Sequence, residues 1–298
     1  MTSRGRLTLA LVLAAAVAAL EFWGGYASHS IALLTDAVHV CMDVFALAVA
    51  LIAAIGASRP ADARKTWGYG RIEVLGALFN GALLFGATLV LVVEAVRRFG
   101  APIEPHGILM TIVAAIGLVV NLGIGLTLSH DHSENLNIRA ALFHVVGDAL
   151  GAFAVIVGGV VIIFTHAAWI DPLLSLFVAA IIIAGVVRVL RDAADVLLEA
   201  TPAGIDADEV AGRMRAVDGI EAVHDLHIWT IGTDSRALSA HVLVSQAQLR
   251  QGPAVLDRLR TMLLDRYGIG HVTVQLETEH CDPGGVIICR PDPGSPQS

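Results

Sequence analysis

The sequence predicts six membrane-spanning α-helices followed by a small α/β domain, and three observations carry that fold class. Of 298 residues, 56% are hydrophobic and 15% charged, against about 25% charged in an ordinary soluble domain, and mean hydropathy is +0.73. Six apolar stretches lie near 7–27, 31–55, 73–97, 107–128, 138–165 and 170–190. Each is long enough to cross a hydrocarbon core, which takes about 20 helical residues. After Arg191 the chain turns polar, and strand-like alternation replaces the apolar runs.

The first stretch has a basic start (Arg4, Arg6) but runs past Phe22 and Trp23. Signal-peptide apolar cores are shorter, about 7–15 residues, so it reads as a retained first helix. Basic residues in short loops orient the bundle. With the N-terminus inside, Arg4, Arg6, Arg59, Arg64, Lys65, Arg71, Arg139, Arg188 and Arg191 face the cytoplasm, and only Arg97 and Arg98 face out. Both termini are therefore expected in the cytoplasm, in what reads as a bacterial inner membrane. Thr201-Pro202 marks the break into the second domain. There, 206–216 is helical, 220–231 and 236–245 are strands, 249–266 is an amphipathic helix, and 271–277 is a third strand. The order α-β-β-α-β suggests an open two-layer sandwich. The expected division is 1–200 for the membrane helices, 201–280 for the α/β domain, and a Pro/Gly-rich, disordered tail over 281–298.

Ionisable side chains within membrane helices cost about 2.5–3.5 kcal/mol each on insertion scales, and so mark function by default. Two of the helices carry the same pattern, His39-x-x-x-Asp43 and His144-x-x-x-Asp148. Spacing of i,i+4 stacks imidazole and carboxylate on one helix face. Two such faces turned together present two nitrogens and two oxygens, a set suited to tetrahedral zinc. The alternative for one copy is a polar pair bonding within the bundle; two copies in apolar helices favour ligation.

Other groups are read more locally. Asp36, one turn before His39, either orients it or lies nearer the outer mouth and attracts cations; Glu21 lines the same cavity. Cys41 reads as packing, Asp171 as a helix N-cap beside Pro172, and Glu94 as a local ion-pair partner of Arg97 and Arg98. Asn80 and Asn121 read as hydrogen-bonding between helices. The loop carrying His130, Asp131, His132 and Glu134 is either a solvated polar turn or a feeder of metal. The last domain holds His224, His227, His241, His271 and His280 near its strands. His224 and His227 are an odd interval apart and should face opposite ways.

No HExxH pattern or phosphate-binding GxxxxGK[ST] loop occurs, which argues against a metalloprotease-like enzyme and an ATP-driven pump. The net charge of −8, without a basic stripe, argues against nucleic acid as a partner. A membrane metal sensor that binds without transporting is the competing reading.

Several local signatures together resemble the cation diffusion facilitators, over roughly 7–277. They are Ser30-Ile-Ala-Leu-Leu-Thr-Asp-Ala-Val-His39-Val-Cys-Met-Asp43, Tyr69-Gly-Arg-Ile-Glu73, His144 to Asp148, Leu197-Leu-Glu-Ala-Thr-Pro202, and Val223-His-Asp-Leu-His-Ile-Trp229 with Leu238-Ser-Ala-His241. The resemblance implies a homodimer in the lipid bilayer, with a ferredoxin-like, metallochaperone-like cytoplasmic domain. It implies a secondary transporter exporting zinc or a related divalent metal ion in exchange for protons. His39, Asp43, His144 and Asp148 would be the transport site. His224, His241 and Glu277, with His271 beside them, match the family's cytoplasmic cluster, but Gln275 stands where some relatives have a further histidine. His280 and Cys281 resemble C-terminal ligands of some relatives. Asp62 stands at a carboxylate of a family loop site, whereas Lys65 and Tyr69 replace its histidines, so no metal is expected there. Arg71 with Glu199 matches the family's charge interlock.

Overall fold

A computed structural model describes residues 3–101, 103–129, 136–232 and 235–279, with backbone alone over 3–11, 124–129 and 136–147. Six long helices come first: α1 (Ser3–Ser28), α2 (Ile31–Ala57), α3 (Arg71–Gly100), α4 (Gly107–Ser129), α5 (Leu136–Thr165) and α6 (Ile170–Leu197). Each contains one of the six apolar stretches. Among the described residues α2, α3, α5 from Asp148 onwards and α6 are long and apolar enough to span a membrane, and α1 and α4 are apolar over 12–28 and 107–123. Large apolar side chains such as Phe22, Phe164 and Phe177 point outward, as they must where the solvent is lipid.

Two compact units emerge: 1–51 with 77–190, and 52–76 with 191–298. In the first, α4 packs on α5 and on α1. Small residues let these backbones approach. A Cβ at Gly24 would lie 2.7 Å from Val113, and one at Gly158 would lie 1.8 Å from Leu174 Cδ1.

The start of α2 has a cap assembled from two places in the chain. Ser30 Oγ accepts from the Leu33 amide at 3.1 Å. The Asp171 carboxylate accepts from the Ile31 amide at 2.7 Å, the Ala32 amide at 3.3 Å and the Ser30 hydroxyl at 2.5 Å. The first three amides of α2, which no helix can satisfy internally, are thus all partnered. Asp171 lies in the first turn of α6, so it caps a neighbouring helix rather than its own. One helical turn on, Thr35 Oγ1 meets Ser175 Oγ of α6 at 2.7 Å. Asn80 of α3 donates to the Ala46 carbonyl of α2 at 3.3 Å, and Arg98 pairs with Glu94 at 3.6 Å.

In the second unit, α7 (Ala207–Arg215), β1 (Ala222–Gly232), β2 (Ser235–Leu243), α8 (Gln246–Leu249), α9 (Gly252–Tyr267) and β3 (Ile269–Glu277) follow in order. The sheet order is β1-β2-β3, antiparallel then parallel. A ferredoxin-like βαββαβ unit has four strands; among the described residues this domain opens on the helix and has three. Val223, Leu226, Ile228, Leu238, Ala240 and Val242 of the sheet pack with Val210 and Met214 of α7 and Val255, Leu259 and Leu263 of α9. Helices cover that face of the sheet, and the opposite face carries the histidines. Gly268 ends α9 at φ 65°, a left-handed conformation that glycine adopts without strain, and its N–H donates to the Leu263 and Leu264 carbonyls.

Candidate metal sites

In the helical unit, His39, Asp43 and Asp148 converge so that one ligand atom from each lies within 4.8 Å of the others. His39 Nε2 is 3.8 Å from Asp43 Oδ2 and 3.4 Å from Asp148 Oδ1. Zinc–ligand bonds of about 2.0–2.2 Å place tetrahedral ligands about 3.3–3.6 Å apart. The His39–Asp148 edge falls within that range, and the His39–Asp43 edge is about 0.2 Å longer. The i,i+4 spacing on α2 brings Asp43 beneath His39, while Asp148 arrives from α5. The backbone of His144 lies one turn before Asp148 on α5; its side chain lies outside the described residues. His130, His132, His280 and Cys281 also lie outside them. Cys41 is exposed and lines an apolar groove with Phe22, Trp23 and Tyr26.

In the second unit, all three strands contribute to one end of the sheet's open face. His224 and His241 are directly paired across β1 and β2, with ring centroids 5.4 Å apart. His241 Nδ1 lies 2.9 Å from Glu277 Oε1, and His224 Nε2 lies 3.1 Å from Glu277 Oε2. That last nitrogen is buried and makes no directional hydrogen bond. Such a placement suits two ligands that share a cation better than a donor and its acceptor. Gln275 donates to Glu277 Oε1 at 2.9 Å and holds the carboxylate in place.

The sheet corrects two expectations. His224 and His227 share a face. The register slips between them, so that three residues on β1 oppose two on β2. This bulge resets the alternation, and Asp225 absorbs it at φ 51°, a region acidic side chains tolerate. The bulge also turns the Asp225 carboxylate to 3.2 Å from His227 Nε2 and 3.8 Å from His241 Nε2. Sequence reasoning passed over Asp225; its position inside His-Asp-Leu-His was the available signal. His271 does not join the cluster. It pairs with Ala237, four residues before Gln275, which pairs with His241. At about 3.3 Å per residue that is about 13 Å away. Its ring instead packs edge-on against Trp67, centroids 4.5 Å apart, and Trp67 also meets Trp229 at 6.4 Å.

The loop between α2 and α3 has an internal lock. Asp62 accepts from the Tyr69 hydroxyl at 2.7 Å and from the Arg64 and Lys65 amides at 2.7 and 2.8 Å. The Tyr69 hydroxyl first, then the Lys65 and Arg64 amides, hold its carboxyl below the ordinary range. The carboxylate is thereby committed to the loop's own fold. Arg71 Nη2 lies 2.8 Å from Glu199 Oε1.

Family models match the chain twice: a cation efflux transmembrane domain over residues 7–198 and a cation efflux protein cytoplasmic domain over 202–279. The chain belongs to the cation efflux family. This family is one of transporters, and the chain is a membrane metal-cation transporter rather than an enzyme. It is 37% identical over 288 residues to the cadmium, cobalt and zinc/H(+)-K(+) antiporter of Bacillus subtilis, covering 96% of this chain and 92% of the relative. It is 37% identical over 276 residues to the metal cation efflux system protein CzcD of Cupriavidus metallidurans, with 93% and 87% covered. It is 36% identical over 279 residues to the zinc transporter ZitB of Escherichia coli, with 93% and 88% covered. Among solved structures, the metal-bound C-terminal domain of the CzcD transporter from C. metallidurans matches 24% of this chain and 99% of its own, at 37% identity and a TM-score of 0.23.

Proposed function

We propose that this transporter exports zinc from the cytoplasm in exchange for protons, from a site made of His39, Asp43, His144 and Asp148. The observation that carries the reading is the convergence of His39, Asp43 and Asp148 within 4.8 Å inside apolar helices. His144 enters by spacing, one turn before Asp148. Mixed imidazole and carboxylate donors favour zinc over harder cations.

Exchange follows from the ligands themselves. Metal needs neutral imidazole and ionised carboxylate, so loading expels protons. Imidazole, with an ordinary pKa of about 6.5, switches within the physiological range. Protons arriving from outside compete for the same lone pairs and release the ion. One set of side chains couples both fluxes without a separate relay.

The protein acts as a homodimer in the bacterial inner membrane, with both termini in the cytoplasm. Residues 1–200 form the transport domain, 201–280 the regulatory domain and 281–298 a tail. Metal at His224, His241 and Glu277 biases the conformations of that regulatory domain by population shift.

Zinc uptake into inside-out vesicles under an imposed pH gradient tests the reading, comparing wild type with Asp148→Ala and His39→Ala. Gradient-dependent uptake that both substitutions abolish, with the protein still folded, supports it. Binding without movement under either gradient overturns it.

A further inference from the structure

Two acidic side chains near the transport cluster have no part in it. Glu21 on α1 is 2% exposed and Asp36 on α2 is 4% exposed. The burial of Glu21 is built into the packing, because the neighbouring helix gives way to its carboxylate. A Cβ at Gly117 of α4 would lie 2.2 Å from Glu21 Oε1, whereas one at Gly151 of α5 would meet Asp36 Oδ1 at 3.6 Å, an ordinary contact. Glu21 Oε2 is buried and has no hydrogen-bond partner among the described residues. The charges acting most on Glu21 are Asp36 and Asp148; those on Asp36 are His39, Asp148 and Asp43. A buried carboxylate oxygen without a partner can be satisfied by a cation.

We propose that Glu21 and Asp36 form a second station for the transported divalent metal, occupied in alternation with the His39 cluster and lying beyond it on the path out. The inference rests on the reading of that cluster as the transport site and on the proposed orientation. Asp36 precedes His39 by three residues, about 4.5 Å of helix rise. That step is short enough for one ion to pass between the two stations without leaving the protein. With the N-terminus inside, the start of α2 faces outward, which puts the carboxylate pair on the release side. The chemistry suits release. An all-oxygen pair binds zinc more weakly than a site with imidazole, so an ion dislodged by protonation of the histidines finds a shallower well before it leaves.

The test uses the full chain in detergent micelles, on a His241→Ala/Glu277→Gln background that disables the cytoplasmic cluster. Zinc binding is counted by equilibrium dialysis. The background protein should bind one zinc per chain tightly. Adding His39→Ala should leave one weaker site. Adding Glu21→Gln or Asp36→Asn to that should weaken the remaining site about tenfold or more, whereas Glu21→Asp, which keeps the charge, should retain it. In vesicles, Glu21→Gln alone should keep the KM for zinc within about twofold and lower kcat. Gel filtration and helical circular dichroism confirm that each variant folds; the two isosteric amides stand in for each other should one fail. The inference is overturned if the His39→Ala protein binds zinc equally with and without Glu21→Gln and Asp36→Asn, or binds none. If His39→Ala instead keeps wild-type affinity and transport, the reading of the main cluster falls first and this inference with it.

Discussion

Replacing Asp171 by alanine should unseat the start of the helix that carries half of the proposed transport site. The carboxylate is 1% exposed and accepts from the Ile31 and Ala32 amides and the Ser30 hydroxyl. Each buried donor left without a partner costs about 1–3 kcal/mol. The lost interaction of an anion with a helix N-terminus adds up to about 2 kcal/mol in a buried setting. Against this, removing a buried charge returns part of its own burial cost. A net loss of about 2–4 kcal/mol is expected for Asp171→Ala. Asp171→Asn keeps one acceptor oxygen but turns an amide donor towards the helix start, and should lose about half as much. The order wild type, Asn, Ala is the diagnostic. It is read by unfolding in mixed micelles with increasing sodium dodecyl sulfate, followed by tryptophan fluorescence. Zinc transport should fall in the same order, because His39 sits about two turns along the helix whose register the cap sets. An alanine variant within about 0.5 kcal/mol of wild type would refute the reasoning and demote the carboxylate to a bystander.

His271→Ala should leave zinc affinity of the cytoplasmic cluster unchanged while altering Trp67 fluorescence, since its ring meets Trp67 and not the cluster; isothermal titration reads the first and emission the second. Asp225→Asn should weaken zinc binding at that cluster by about tenfold, in the range for groups that orient metal-binding histidines. Gly158→Ala should destabilise the helical unit by about 1–3 kcal/mol, the usual cost of overpacking, because its Cβ would lie 1.8 Å from Leu174 Cδ1; the mixed-micelle assay measures it. Asp62 is held below its ordinary pKa chiefly by Tyr69. Its contribution to loop order is therefore complete above about pH 4, the unfolded value, and is lost as pH falls through the depressed folded value. Tyr69→Phe should move that loss to higher pH, followed by Trp67 emission in an acid titration.

Hydropathy made the six helices legible, because a span must be apolar over its whole length whatever its neighbours do. The paired His-x-x-x-Asp patterns were legible for a similar reason: a helix makes i,i+4 adjacency local, and the expense of ionisable groups in lipid made the adjacency conspicuous. The rest depended on contacts between distant parts of the chain. Asp171 reads as a cap from sequence, but the helix it caps begins 140 positions earlier, and nothing local distinguishes its own helix from another. In the α/β domain the count of residues between His224 and His227 put them on opposite faces. A bulge, which only the pairing with β2 reveals, reversed that and brought in Asp225. His271 lies in the right strand and on the right face. Register along β3 alone separates it from Glu277.

The cytoplasmic cluster takes one ligand from each of its three strands, with the carboxylate on the last to be synthesised. No shorter portion of the domain holds all three, and the parallel strand must cross over through α9 before its end can meet His224 and His241. Ligand geometry therefore exists only once the sheet is complete, so metal binding there would be coupled to folding of the domain. Zinc bound at this position would act as a certificate of assembly, rewarding chains whose final strand has docked. A lesion far from the ligands that loosens β3 would then present itself as a loss of metal affinity.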